Sequence, residues 1–222
     1  MVPVIPHSAA VGRAGRGPGL PAHNGPVAPV NFGPGVALVV VDLQNDFADP
    51  RGSLYVAGAE SVVGAVGELV DRALAAGSPV LYTQDWHPPH TPHFAPDGGI
   101  WPVHCVAGTW GAELVPSLAV VGPVVRKGTG GEDGYSGFSV RDVSTGEVVA
   151  TELDRLLREA GVEAVVVCGL ALDYCVKETA LDAARLGYRV AVPLHATRAV
   201  ELHPGDGDRA LEALQSAGAS LS

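Results

Sequence analysis

The sequence is poor in the residues that mark several broad protein classes. Three cysteines among 222 residues are too few for a disulfide scaffold and odd in number, which indicates a reducing compartment. Basic residues number 14 against 24 acidic ones, and the net charge of -10 argues against nucleic acid or an anionic membrane surface as a main partner. No apolar run approaches the roughly 20 residues that span a bilayer. These features predict a cytoplasmic protein and leave the formation of a homo-oligomer open.

The hydrophobic residues that are present suffice for one buried core. They make up 47% of the chain, which fits a sheet covered by helices. Residues 1–34 are rich in proline and glycine and carry only Arg13 and Arg16 as charged side chains, which predicts a flexible leader. Residues 35–222 are predicted to form a single folded domain.

Apolar runs and stretches with helical spacing alternate along that domain. The apolar runs predict strands at 36–41, 79–83, 120–127, 165–168 and 188–192, with a short edge strand at 219–221. Helical spacing predicts helices at 59–76, 151–160 and 206–216, and another helix whose first turn carries Cys175. This alternation predicts an α/β domain in which helices cover both faces of a parallel sheet of five to six strands.

Reactive side chains follow four of the predicted strands. Asp42 ends the first strand, and Asp85 and His87 follow the second. Lys127 ends the third strand, and Cys175 comes shortly after the fourth. Because ligands bind at the carboxyl ends of the strands in open parallel sheets, these residues predict a functional site at one edge of the sheet.

Cys175 is a candidate nucleophile. In the first turn of a helix, a thiol lies near free backbone N–H groups and the positive end of the helix dipole, which predicts a lowered thiol pKa and a turn that could bind an oxyanion. A cysteine nucleophile also needs a base and a nearby cation, for which Asp42 and Lys127 are the candidates. The alternative is a cysteine that only packs in the core, which is the interpretation we give to Cys105 and Cys168.

A second cluster is rich in histidine. Asp85 and His87 are two residues apart on an extended segment, so both side chains point to one face. Carboxylate plus imidazole suits zinc, iron or manganese. The first choice of ligands is Asp85, His87 and His104, with His93 as a fourth ligand or a neighbour that holds water, while His90 is left outside the set. A solvated, histidine-rich loop is the alternative.

These residues lie in motifs that resemble the nicotinamidase branch of the isochorismatase-like family of cysteine hydrolases. The similar blocks are Val41-Asp42-Leu43-Gln44-Asn45-Asp46-Phe47, Asp85-Trp86-His87, Trp101-Pro102-Val103-His104-Cys105, Lys127-Gly128, Tyr135-Ser136-Gly137-Phe138 and Gly169-Leu170-Ala171-Leu172-Asp173-Tyr174-Cys175. The second and third blocks are the more specific ones, since they resemble a metal site that many relatives lack.

The resemblance implies a role for each group of residues. The catalytic triad is Asp42, Lys127 and Cys175, and the divalent metal, zinc before iron or manganese, is held by Asp85, His87 and His104, with His93 as a further candidate. The oxyanion hole consists of the amides of Ala171 and Cys175, beside a cis peptide at Leu170–Ala171. The aromatic walls of the substrate site are Phe47, Trp101 and Tyr135.

The activity implied by the resemblance is hydrolysis of nicotinamide to nicotinate and ammonia through a thioester, and of the isostere pyrazinamide as well. A family member that acts on a carbamoyl or ureido amide is the nearest alternative, and a non-catalytic, metal-stabilised binding module is the alternative from another class. Two departures from the family pattern bear on substrate preference. Leu172 replaces a common threonine, and Glu132 and Asp133 make the loop after Lys127 unusually acidic.

Overall fold

The computed structural model describes residues 31–222. In chain order, its strands and helices are β1 (Val36–Val41), α1 (Asn45–Ala48), α2 (Ala59–Ala75), β2 (Val80–Asp85), β3 (Val124–Lys127), β4 (Ser139–Arg141), β5 (Val148–Ala150), α3 (Leu153–Glu159), β6 (Ala164–Leu170), α4 (Lys177–Arg185), β7 (Arg189–Val192), β8 (Thr197–Arg198), α5 (Asp206–Ser216) and β9 (Ser220–Leu221). The predicted leader lies outside the described residues except for 31–34. No helix within the described part of the chain is long and apolar enough to cross a bilayer.

The central sheet is parallel, with the order β3-β2-β1-β6-β7-β9, and β8 pairs with the end of β6. β1 and β6 are buried along their whole length, as their unbroken apolar sequences require. One core lies between the sheet and α2, and a second lies between the other face and α3, α4 and α5. The predicted α/β fold is therefore confirmed.

The strand order places the reactive residues together. From β1 the chain proceeds to β2 and β3 on one side, and then returns to form β6 and β7 on the other side. The reversal between β1 and β6 is a topological switch point, where a crevice opens beyond the carboxyl ends of the strands. Asp42 follows β1 and Cys175 follows β6, so both residues lie at this crevice.

Several elements differ from the sequence prediction. The third strand begins at Val124, and Val120 and Val121, which were predicted to belong to it, are exposed and lie outside the sheet. β4 and β5 form a separate antiparallel hairpin that was not predicted. Cys175 lies in a π-helical turn, Leu172–Val176, that continues directly into α4 at Lys177, so Cys175 is in the first turn of a helical segment as predicted, but that turn is π-helical and not α-helical.

Candidate active site

Asp42, Lys127 and Cys175 come together at the ends of β1, β3 and β6, and all three are buried. Lys127 Nζ lies 2.8 Å from Asp42 Oδ2 and 3.6 Å from Cys175 Sγ. A carboxylate oxygen of Asp42, one of Asp85 and the Cys175 sulfur all lie within 4.8 Å of one another. The ammonium group is therefore the cation shared by a carboxylate and a thiol, in the arrangement that the sequence suggested.

Lys127 is held in its charged form. Burial opposes the charge, but the carboxylates of Asp42 and Asp85 raise the pKa of Lys127 well above its ordinary value. For Asp85, burial also opposes ionisation, and Lys127 nevertheless lowers the pKa to about 2. For Asp42 burial prevails over the attraction of Lys127, and the pKa of this carboxyl is raised. Asp42 is therefore the better proton acceptor of the two carboxylates.

The pKa of the Cys175 thiol is raised, whereas the sequence predicted that it would be lowered. Burial raises the pKa well above its ordinary value, Lys127 counteracts part of the rise, and the Asp42 and Asp85 carboxylates add to it. The prediction that this pKa is lowered is wrong, because burial of the thiol raises the pKa by more than Lys127 lowers it. The resting group is a neutral thiol, so a base must take its proton when the sulfur reacts.

The turn before Cys175 brings backbone amides to the crevice. The peptide Leu170–Ala171 is cis, as the family resemblance implied. Gly169 has a φ of 108°, and a Cβ there would collide with the Val41 backbone, which restricts this position to glycine. Tyr174 and Val176 donate their amides to the Ala171 carbonyl at 3.1 and 3.0 Å, which closes the turn around Cys175.

The histidine cluster lies next to these groups. Ring nitrogens of His87, His93 and His104 all lie within 4.8 Å of one another, and Asp85 Oδ2 lies 3.9 Å from His87 Nε2. His104 Nδ1 is 2.7 Å from the Pro102 carbonyl, which leaves Nε2 for the cluster. Both nitrogens of His87 are buried and lack a hydrogen-bond partner in the described structure. These donors fit a divalent metal.

The protonation of the histidines agrees with that fit. Burial lowers the pKa of His87 to about 4, and it lowers the pKa of His104 as well. Both rings are therefore neutral near pH 7, as a metal ligand must be. His90 is exposed and lies 3.4 Å from Asp97, away from the three clustered rings.

Two carboxylates support this cluster, and sequence reasoning assigned them no such contact. Asp133 Oδ1 lies 3.0 Å from His93 Nδ1 and keeps that ring oriented. Asp46 accepts the amides of Cys105 at 2.7 Å and Ser53 at 3.0 Å, which ties α1 to the loop that carries His104. The acidic character of the loop after Lys127 was the only sequence signal for Asp133.

An aromatic cavity adjoins the cluster and Cys175. Phe47, Trp101 and Tyr135 line it, and the indole N–H of Trp101 donates to the Tyr135 hydroxyl at 3.0 Å. Tyr174 also lines the cavity. Its ring is edge-on to the rings of Trp101 and Tyr135, with distances between ring centroids of 4.9 and 5.2 Å. Its position beside Cys175 was a signal that sequence reasoning missed. Val200, from the segment after β8, completes the wall.

Comparison with known proteins agrees with this geometry. A family model described as the Isochorismatase domain matches residues 36–222. The nicotinamidase of Escherichia coli is 37% identical over 203 residues, which cover 83% of this chain and 93% of that protein.

Two solved structures share the fold over most of the chain. The pyrazinamidase of Pyrococcus horikoshii in complex with zinc has a TM-score of 0.75 and 37% identity, covering 85% of this chain and 99% of that chain. PnC1 from L. infantum in complex with nicotinate has a TM-score of 0.76 and 36% identity, covering 87% of this chain and 95% of that chain. The chain therefore belongs to the isochorismatase-like family of hydrolases, in its nicotinamidase and pyrazinamidase branch.

Proposed function

We propose that the protein is a metal-containing cysteine amidohydrolase that converts nicotinamide to nicotinate and ammonia. The observation that carries the proposal is the meeting of a buried Asp42–Lys127–Cys175 cluster with a histidine cluster and an aromatic cavity in one crevice. The relatives described as a nicotinamidase and as a nicotinate complex support the same substrate.

The chemistry begins with proton transfer. Asp42 takes the proton of the Cys175 thiol, and the sulfur attacks the amide carbon. The amides of Ala171 and Cys175 receive the oxyanion, and collapse of the tetrahedral adduct breaks the C–N bond while Asp42 protonates the departing ammonia. Water, deprotonated by Asp42, then hydrolyses the thioester, and the proton returns to the sulfur. Lys127 holds the negative charge that alternates between Asp42 and Cys175.

The residues that would hold the divalent metal are Asp85, His87 and His104, with His93 as a further ligand. When bound, the metal supplies a positive centre that attracts the pyridine nitrogen or polarises a water molecule beside it. Zinc is our first choice, since these borderline ligands suit it and a related pyrazinamidase binds zinc.

The cavity walls orient the pyridine ring. Phe47, Trp101 and Tyr135 offer aromatic faces and edges to a flat heteroaromatic ring. Burial raises the pKa of Tyr135 to about 12, so its hydroxyl stays neutral and the wall adds no charge. We expect pyrazinamide to be cleaved too, because such walls distinguish an extra ring nitrogen poorly.

A carbamoyl or ureido amide is the rival substrate class. Such substrates are open chains that lack the flat ring for which an aromatic cavity is shaped. The histidine cluster likewise has a direct use with a ring nitrogen and none that is evident with an acyclic ureido group.

The test is ammonia release by the purified protein from nicotinamide, pyrazinamide and an acyclic ureido acid, before and after chelation. We expect release from the two ring amides, loss with the chelator, and recovery after zinc, iron or manganese is added back. Release from the ureido acid alone would overturn the assignment.

A further inference from the structure

We propose that Thr83 is a positioning residue, whose hydroxyl fixes the Asp42 carboxylate so that Oδ2 faces the Cys175 thiol. The proposal rests on the proposed function, in which Asp42 is the base. Thr83 lies inside β2 and is fully buried, as Asp42 is. The sequence indicates only that Thr83 belongs to the second strand.

The hydroxyl of Thr83 makes two hydrogen bonds to the same residue. Its oxygen accepts a hydrogen bond from the Asp42 amide at 3.2 Å. The same amide also donates to the Thr83 carbonyl oxygen at 3.3 Å. The hydroxyl proton is donated to Asp42 Oδ1 at 2.6 Å. A hydroxyl has one proton to donate. Because that proton goes to Oδ1 while the oxygen accepts the Asp42 amide, the orientation of the Thr83 hydroxyl is fixed.

This arrangement makes the two carboxylate oxygens of Asp42 different. Oδ1 is occupied by Thr83. Oδ2 lies 2.8 Å from Lys127 Nζ, is buried, and has no hydrogen bond of good geometry in the described structure. A buried oxygen without such a bond carries a cost unless another donor reaches it. The Cys175 sulfur lies within 4.8 Å of a carboxylate oxygen of Asp42, and in this proposal its thiol is the donor that Oδ2 receives when the proton is transferred.

The backbone at Asp42 makes a side-chain anchor valuable. Asp42 has a φ of 46°, in the left-handed region that few non-glycine residues adopt. The residue has already left β1 at this point, so regular strand pairing does not fix its side chain. The contacts from Thr83 on the neighbouring strand do so instead.

Thr83 also packs through its methyl group, and the two functions can be separated. A Cβ added to Gly137 would lie 2.8 Å from Thr83 Cγ2, so the methyl fills space against that turn. Thr83→Val keeps this packing and removes the hydroxyl. Thr83→Ser keeps the hydroxyl and removes the methyl.

The first measurement is steady-state kinetics on nicotinamide for the wild type and both variants. A lost hydrogen bond to a charged group corresponds to a fall in kcat of about 10- to 100-fold for Thr83→Val. We expect KM to change by less than about 2-fold, because Thr83 does not line the cavity, and Thr83→Ser to keep near wild-type kcat. Wild-type kcat in Thr83→Val, or an equal loss in both variants, would overturn the proposal.

A second measurement does not depend on the substrate. The rate at which iodoacetamide alkylates Cys175, located by peptide mass spectrometry, reports proton removal from the thiol. We expect slower alkylation in Thr83→Val and a wild-type rate in Thr83→Ser. If the wild type releases no ammonia, the proposed function fails while this assay still decides the role of Thr83. Equal alkylation rates in all three proteins would overturn the role of Thr83. If Thr83→Val does not fold, slow alkylation of Cys175 in a folded Thr83→Ser would also overturn that role.

Discussion

Lys127 Nζ lies 2.5 Å from Asp85 Oδ1, so the ammonium group that contacts the thiol also pairs with a carboxylate of the proposed metal site. The second oxygen of Asp85 faces His87 at 3.9 Å. The nucleophile cluster and the histidine cluster are therefore one continuous buried network. Changes at Lys127, Gly128 and His87 should consequently affect more than one property of the protein.

Removal of the Lys127 charge should destabilise the fold as well as abolish activity. Lys127→Met leaves the buried Asp42 and Asp85 carboxylates without a cation, and we expect a loss of about 3–5 kcal/mol in the free energy of unfolding by urea. Lys177→Met is the matched control, because Lys177 is partly exposed and, among residues 31–222, forms an ion pair only with the adjacent Glu178. Equal stability of the two variants would contradict the role of Lys127 as the shared cation.

Gly128 should be required for the position of His87. An added Cβ would lie 2.5 Å from His87 Nδ1, so Gly128→Ala must displace that ring and should weaken zinc binding at least about 10-fold in a chelator competition assay. Gly146→Ala is the control, since Gly146 has nearly the same φ, 72° against 73°, and, apart from Gly146 and its chain neighbours, no atom of the described residues lies within 4 Å of a Cβ added there. Matching zinc affinities in the two variants would show that the ring is not a ligand.

Asp133 should stabilise the metal site through His93. Asp133→Ala removes the carboxylate that orients the ring, and we expect zinc affinity to fall by about 10- to 100-fold. Glu132→Ala alters the neighbouring carboxylate of the same loop, which accepts the Gly130 amide and contacts none of the clustered histidines in the described part of the chain, and it should leave the affinity unchanged. An unchanged affinity in Asp133→Ala would remove His93 from the ligand set.

The stability of the metal-free protein should fall in mild acid. The pKa of His87 is about 4 in the folded protein against an ordinary 6.5, so the unfolded chain binds the extra proton between these values. The free energy of unfolding should therefore be fully retained above pH 6.5 and decrease by about 3 kcal/mol as the pH falls to 4. His87→Gln should show a correspondingly smaller decrease. Identical slopes for the two proteins in urea unfolding at pH 7, 6 and 5 would contradict the buried, neutral ring.

The strand ends were predictable from the sequence, and the contacts between strands were not. Asp42 and Lys127 stand at the ends of predicted strands and Cys175 comes shortly after one, so the parallel fold alone brings them to one edge. Thr83 and Asp133 have no such marker. One lies within a strand and the other in a loop, and their roles depend on partners 41 and 40 residues away.

The error about the Cys175 pKa has a related cause. A helix N-terminus is a local feature that a sequence can indicate, whereas desolvation depends on everything that surrounds the thiol. The π-helical turn before α4 is similarly invisible, because residues 172–176 have no spacing that separates them from an ordinary helix start. The β4–β5 hairpin was not predicted because its strands have three residues each and are largely exposed.

The central claim is that Cys175 hydrolyses nicotinamide, and the direct measurement compares metal-loaded wild type with Cys175→Ala. We expect the wild type to form nicotinate and ammonia in equal amounts and Cys175→Ala to be slower by about 10⁴-fold or more. Cys168→Ala, which alters a cysteine in the interior of the sheet, should turn over normally. Turnover retained in Cys175→Ala, or no nicotinate from a folded and metal-loaded wild type, would contradict the account.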